Sequence, residues 1–149
     1  MEIDKLRLEI EADEGKINRI YKCSLDHETF GIGHLITQDD PEYGQPIGTE
    51  VSSTRVHEAF EHDVAVVIND CIKIYPNFYD FPEEAQRIIA NMCFQLGRPR
   101  LSAFSNMRDA VLNLNWLEAS VQMLDSRWAK QTPNRANRLA DRMRAIDGS

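Results

Sequence analysis

Glu14, followed at once by Gly15, is the first residue of this 149-residue chain whose setting suggests chemistry. It stands at the end of a helical stretch, where the negative end of the helix dipole disfavours a carboxylate. An acid so placed is suited to hand a proton to a leaving group. Cleavage of a glycosidic bond needs such a donor on one side of the bond and a group that activates water on the other. On local grounds alone this signal is weak, because a Glu before a helix-ending glycine is usually an ordinary surface residue. Two other arrangements invite chemistry and fail. His57 and His62 flank Glu58 in the manner of a zinc helix, but they are five residues apart, and only a four-residue spacing puts both on one face. Cys23, Cys71 and Cys93 are odd in number and form neither metal nor redox spacing. Cys71 and Cys93 fall on apolar helix faces and read as core. No metal and no cofactor is expected.

The elements that must carry Glu14 are mostly helices. The spacing of Ile3, Leu6 and Ile10 predicts a helix over residues 3–13, stopped by Gly15. Residues 20–34 lose the helical period. Phe30, Ile32 and His34 alternate with Gly31 and Gly33, a hairpin-like pattern with close backbone approach, and Leu25-Asp26-His27 reads as its turn. Residues 37–53 hold Pro41, Gly44, Pro46 and Gly48 and read as a loop, with room for one short strand. A long helix begins after a Ser52 or Ser53 cap and runs to Pro76 on Val56, Phe60, Val64, Val67, Cys71 and Ile72. The richest apolar stripe follows Pro82: Ala85, Ile88, Ile89, Met92, Cys93 and Leu96, closed by Gly97. Helices are expected near 105–113, at 116–128 behind an Asn115 cap, and from Thr132-Pro133 onward. Trp116 and Trp128 occupy core-like positions on them. The fold class is α+β, mostly α: a single domain over 1–149 with a small β-hairpin lobe at about 14–51 and a larger helical lobe at about 75–149. The N-terminal helix 3–13 joins the larger lobe, a long helix at about 53–74 connects the two, and a cleft between them is the default site.

Composition narrows the classes. Apolar residues make up 42%, enough for a core, and no run of about 18 apolar residues exists to span a membrane. The start Met1-Glu2-Ile3-Asp4-Lys5 lacks a secretory signal, which predicts folding in a cytoplasm. Residues 1–97 carry 8 Lys/Arg against 19 Asp/Glu, net −11, and residues 98–149 carry 9 against 5, net +4. A basic tail can meet an anionic polymer, but overall acidity argues against general nucleic-acid binding.

Three separated motifs then agree. Asp13-Glu14-Gly15, Tyr21-Lys22 and Thr29-Phe30-Gly31-Ile32-Gly33-His34 resemble the N-terminal active-site region of the phage-type lysozymes, glycoside hydrolase family 24. Asn91 to Gly97 resembles that family's central helix, and Ser126-Arg127-Trp128 with Gln131 to Ala136 resembles a late family segment. The resemblance covers nearly the whole chain, in order. It implies a lysozyme-like fold and a muramidase that hydrolyses the bond between N-acetylmuramic acid and N-acetylglucosamine in bacterial peptidoglycan, with inversion. It assigns Glu14 as catalytic acid, Thr29 as the residue that helps place water, and Arg135 as the arginine that pairs with the acid. His34 with Asp63 would be a structural ion pair. Leu35, Phe94 and Gln95 would line the sugar site. It further implies a monomer held in the host cytoplasm until lysis, with peptidoglycan as partner and neither nucleic acid nor membrane.

The chain departs from the pattern at one central place. The family's second catalytic carboxylate falls at Cys23. Cys23 as a weak base or polar orienter of water beside Thr29 is the preferred reading. Asp26 or Glu28 reaching in, in the wrong register, and catalysis by Glu14 alone stay open. So do loss of turnover, leaving a peptidoglycan-binding relative, and a lytic transglycosylase that needs a single Glu. Met107 and Gln122 stand at sugar-contacting positions that the family fills with Ser and Asn. The loop at 38–51 is about ten residues shorter than the family's.

Overall fold

Leu6 and Ile10 are fully buried and Ile3 is partly exposed, which orients the first helix α1, Ile3–Glu14. It ends where expected: Gly15 takes a φ of +77°, and its N–H closes on the Glu11 carbonyl at 2.8 Å. In this computed structural model residues 1–148 are described, and among them the chain builds eight α-helices and one three-stranded antiparallel sheet. The α+β, mostly α class follows directly. The residues fall into two compact units, one spanning Arg7–Val66, the other joining Met1–Leu6 to the chain from Val67 onward.

In the first unit, β1 (Ile17–Lys22) pairs with β2 (Glu28–Gly31), and β2 with β3 (His34–Leu35). Tyr21 faces Thr29, and a bulge interrupts β1 between Ile17 and Tyr21. Cys23 closes the hairpin: its N–H donates to the His27 carbonyl and its own carbonyl accepts from Asp26, each at 2.9 Å. Asp26 adopts a φ of +66°, a conformation that Asp tolerates in tight turns. The loop after β3 returns along β1, giving the Ile20 carbonyl a donor in Gly48 and Ile20 N–H an acceptor in Thr49. No strand forms there; a single bridge joins Arg19 to Glu50. Helix α2 (Ser53–Ile74) starts behind Ser52, whose Oγ accepts the Arg55 N–H at 3.1 Å. Val56, Ala59, Phe60 and Val64 face inward, and Arg7 on α1 meets Glu61 on α2 through two 2.7 Å bonds.

The second unit is built around α3 (Glu83–Leu96), whose Ile88, Ile89, Met92 and Cys93 are essentially sealed from solvent. Each of the two isoleucines and the methionine stabilises the fold by about 1.5–3 kcal/mol. Gly97 ends α3, and two helices follow, α4 (Arg98–Ser102) and α5 (Ser105–Leu112); the periodicity did not predict α4. Asn115 caps α6 (Trp116–Leu124) by accepting the Glu118 N–H. The expected 116–128 helix is two helices. Asp125 leaves the helical conformation, and Ser126 turns its Oγ to the Ala129 N–H, starting α7 (Arg127–Gln131). Thr132 precedes α8 (Pro133–Ala145) but its hydroxyl donates back to the Trp128 carbonyl rather than capping α8. Trp116 packs edge-on against Phe81, and Trp128 is buried against Phe104, so both tryptophans serve packing.

Candidate active site

Glu14, Tyr21, Cys23 and Thr29 all belong to the Arg7–Val66 unit, and their electrostatics record their proximity. The Tyr21 hydroxyl is pushed above its ordinary range by burial, then by the charges of Glu14 and Cys23. Tyr21 was not singled out from sequence as a site residue. Its motif position was the only available signal. Burial opposes ionisation of the Cys23 thiol, yet hydrogen bonds from the backbone at His27 and Leu25 and from the Thr29 side chain outweigh it and hold the thiol below its usual range. Thr29 is buried, and its hydroxyl donates to the His27 carbonyl at 2.9 Å. One hydroxyl proton serves one acceptor at a time. The thiolate therefore competes with the His27 carbonyl for it. Asp26 and His27 lie exposed at the hairpin turn, with Asp26 engaged by Lys22 at 3.4 Å.

His34 carries a partner that sequence reading missed. Its Nδ1 lies 2.7 Å from Asp63, and its Nε2 lies 2.9 Å from Asp40. Asp40 is held in turn by the Thr37 N–H and by Arg55, which also forks onto buried Glu42 and stacks 5.4 Å over the Phe30 ring. With a carboxylate at each nitrogen the ring favours both protons. Burial pulls its pKa down, but the two carboxylates prevail and raise it. Unfolded histidine titrates near about 6.5, so this stabilisation is complete below that pH and fades as pH rises through the higher folded value. Asp40 behaves oppositely: burial works against its charge, Thr37, His34 and Arg55 overcome it, and its contribution is lost only as pH falls through its depressed folded value. Asp40→Asn is expected to lower unfolding free energy by about 1–3 kcal/mol between the Asp40 and His34 titrations, with the difference from wild type shrinking as pH rises through the His34 titration or falls through that of Asp40. Urea unfolding across pH measures this. A loss independent of pH would mean that Arg55, not His34, carries Asp40's contribution.

The other candidate residues belong to the second unit, except Leu35, which is exposed on β3. Phe94 is half-buried on α3. Gln95 is engaged by the fold, accepting the Trp128 indole N–H at 2.8 Å and reaching Thr132 at 3.4 Å. Met107 and Gln122 are brought together. Both line a hollow of about 260 Å³ with Phe104, Asn106 and Asp125. Met107 is only 1% exposed and offers this hollow an apolar wall, while Gln122 donates to Glu118 at 2.8 Å. Arg135 on α8 grips the side chain of buried Asn91 through Nε at 3.0 Å and Nη2 at 2.7 Å. His57 and His62 are exposed on α2, and among the described residues no group of three His, Cys, Asp or Glu could hold a metal. Among the same residues no helix is long and apolar enough to cross a membrane.

No protein-family model matches the chain. Two proteins of Dictyostelium discoideum are similar to it over most of both lengths. Probable T4-type lysozyme 2 is 28% identical over 156 residues, 92% of each chain. Probable T4-type lysozyme 1 is 28% identical over 152 residues, 87% of this chain and 88% of the relative. The Pre-baseplate central spike protein Gp5 of Enterobacteria phage T4 is 30% identical over 148 residues, 87% of this chain but 26% of that much longer protein. With a mostly helical α+β fold and two relatives matched over about nine-tenths of their lengths, the chain is a homologue of the T4-type lysozymes and by class a glycoside hydrolase.

Proposed function

We propose that this chain is a muramidase that hydrolyses the bond between N-acetylmuramic acid and N-acetylglucosamine in bacterial peptidoglycan, with inversion at the sugar carbon. Glu14 donates the proton to the leaving oxygen. Thr29 and Cys23 orient water from the opposite face, and the Cys23 thiolate accepts its proton. The observation that carries this reading is the electrostatic neighbourhood of Glu14, Tyr21, Cys23 and Thr29 in one small unit of a lysozyme homologue. General acid–base pairs of this kind contribute about 10²–10⁴-fold each. Leu35, Phe94, Gln95, Met107 and Gln122 are the proposed sugar contacts. Arg135, and His34 with Asp63, are the supporting residues.

The test is digestion of purified peptidoglycan followed by product masses. Hydrolysis adds one water per bond cut and leaves a free reducing end. Anhydro products at unchanged total mass would identify a transglycosylase instead, and retention of the polymer without cleavage would identify a binding protein.

A further inference from the structure

Gly33, in the turn between β2 and β3, has a φ of +65°. A Cβ built on it would lie 2.8 Å from Glu14 Oε1, 3.3 Å from Cδ and 3.4 Å from Cγ. The carboxyl and last methylene of Glu14 thus lie across the bare Cα. The other left-handed glycines of this unit have different surroundings. At Gly15, Gly44 and Gly48 a Cβ would meet nothing within 4 Å, and at Gly31 it would press on Val56 at 3.0 Å, an apolar contact. Backbone conformation alone therefore explains Gly44 and Gly48, core packing explains Gly31, and at Gly33 the space for a side chain is taken by the carboxylic acid.

We infer that Gly33 is a positioning residue for Glu14: its missing side chain is the seat that holds the acid's oxygen where it meets a leaving group. This rests on Glu14 being the general acid. A glutamate has three side-chain torsions, and contacts must narrow the space they sweep. Contact along Cγ, Cδ and Oε1 closes one side of that space. Since 2.8 Å is nearer than real Cβ contacts allow, a side chain at residue 33 must displace something. What yields is the far end of a flexible side chain, not backbone. Beyond the left-handed strain that any L side chain meets at this φ, the contact is relieved by moving the acid, so the cost falls on the position of the acid. Misplacing a reacting group by about 1 Å is worth on the order of a hundredfold in rate.

The experiment compares Gly33→Ala with Gly44→Ala, which imposes the same left-handed strain (φ +83°) and touches nothing. Gly33→Asn is included because asparagine bears the left-handed conformation better than other L residues. It keeps the Cβ while relieving the backbone. On soluble peptidoglycan fragments, both Gly33 variants are expected to lose about tenfold to a hundredfold in kcat with KM changed by less than about threefold. Gly44→Ala keeps wild-type kinetics, and all three melt within a few degrees of one another. Glu14→Asp withdraws the carboxyl from the seat, so adding Gly33→Ala to Glu14→Asp should cost less than about threefold, a marked non-additivity. Kinetics of Gly33→Ala and Gly33→Asn matching Gly44→Ala, or an equal loss in the Glu and Asp backgrounds, overturns the seat while leaving the acid intact. Full activity in Glu14→Gln overturns the acid reading and the seat with it.

Discussion

Glu14→Gln is expected to abolish clearing of a purified peptidoglycan suspension, by about 10³-fold or more, while the protein stays folded. The amide matches the acid in shape and keeps the packing over Gly33. It has no acidic proton for the departing sugar oxygen, which must then leave as an alkoxide. The same substitution should leave the melting temperature close to that of the wild type, because the amide keeps the size and shape of the side chain. Activity lost with stability kept is the signature of a residue retained for chemistry. Turbidity clearing and a melting curve on the same samples read both. Clearing by Glu14→Gln within about tenfold of wild type would remove Glu14 from the proton-donor role.

The second large effect is at Cys23. If its thiolate accepts the proton of the attacking water, wild-type activity climbs with pH through the thiol's titration. That titration lies below the thiol's ordinary value because the His27 and Leu25 backbone and the Thr29 side chain favour the anion against its partial burial. Cys23→Ala should fall by about 10²-fold and lose the climb. Cys23→Asp, a carboxylate already ionised above about pH 4, should restore activity without it. Alkylation is expected to inactivate by labelling a single cysteine. Cys71 and Cys93 are 0% and 1% exposed, and contact with Cys93, then burial, drives the Cys71 thiol far upward, so neither competes for reagent. Undiminished activity in Cys23→Ala would assign catalysis to Glu14 without a thiol partner.

Most of the element order was legible in the sequence because it is set by short-range physics. Ile3, Leu6 and Ile10 repeat at the helical period, Gly15 supplies the left-handed stop, and Asn115 caps the helix at Trp116 with the Glu118 N–H, all within a turn of chain. The misreadings came where two local solutions compete. Val121, Met123 and Trp128 keep an apolar rhythm through Asp125, but Ser126 can either continue the helix or cap a new one, and it caps. Thr132 has the right type for a cap, yet its hydroxyl finds the Trp128 carbonyl first.

The candidate site divides in the same way. Sequence by itself determined the helical α+β class, the carboxylic acid at the end of the first helix and the cysteine on the hairpin; the pairing of His34 with Asp63 was an expectation that came from the family resemblance. Tertiary structure alone decided that His34 meets a second carboxylate. Asp40 lies six residues away, in a loop with no periodicity, and reaches the ring because Arg55 and Thr37 hold it. It alone decided that Met107 turns into a wall with Gln122, and that the two glycines flanking Ile32 are required for different reasons, one by Val56 and one by Glu14. Periodicity and caps act over one or two turns of chain. Which polar groups meet depends on where whole segments lie, and no local pattern encodes that.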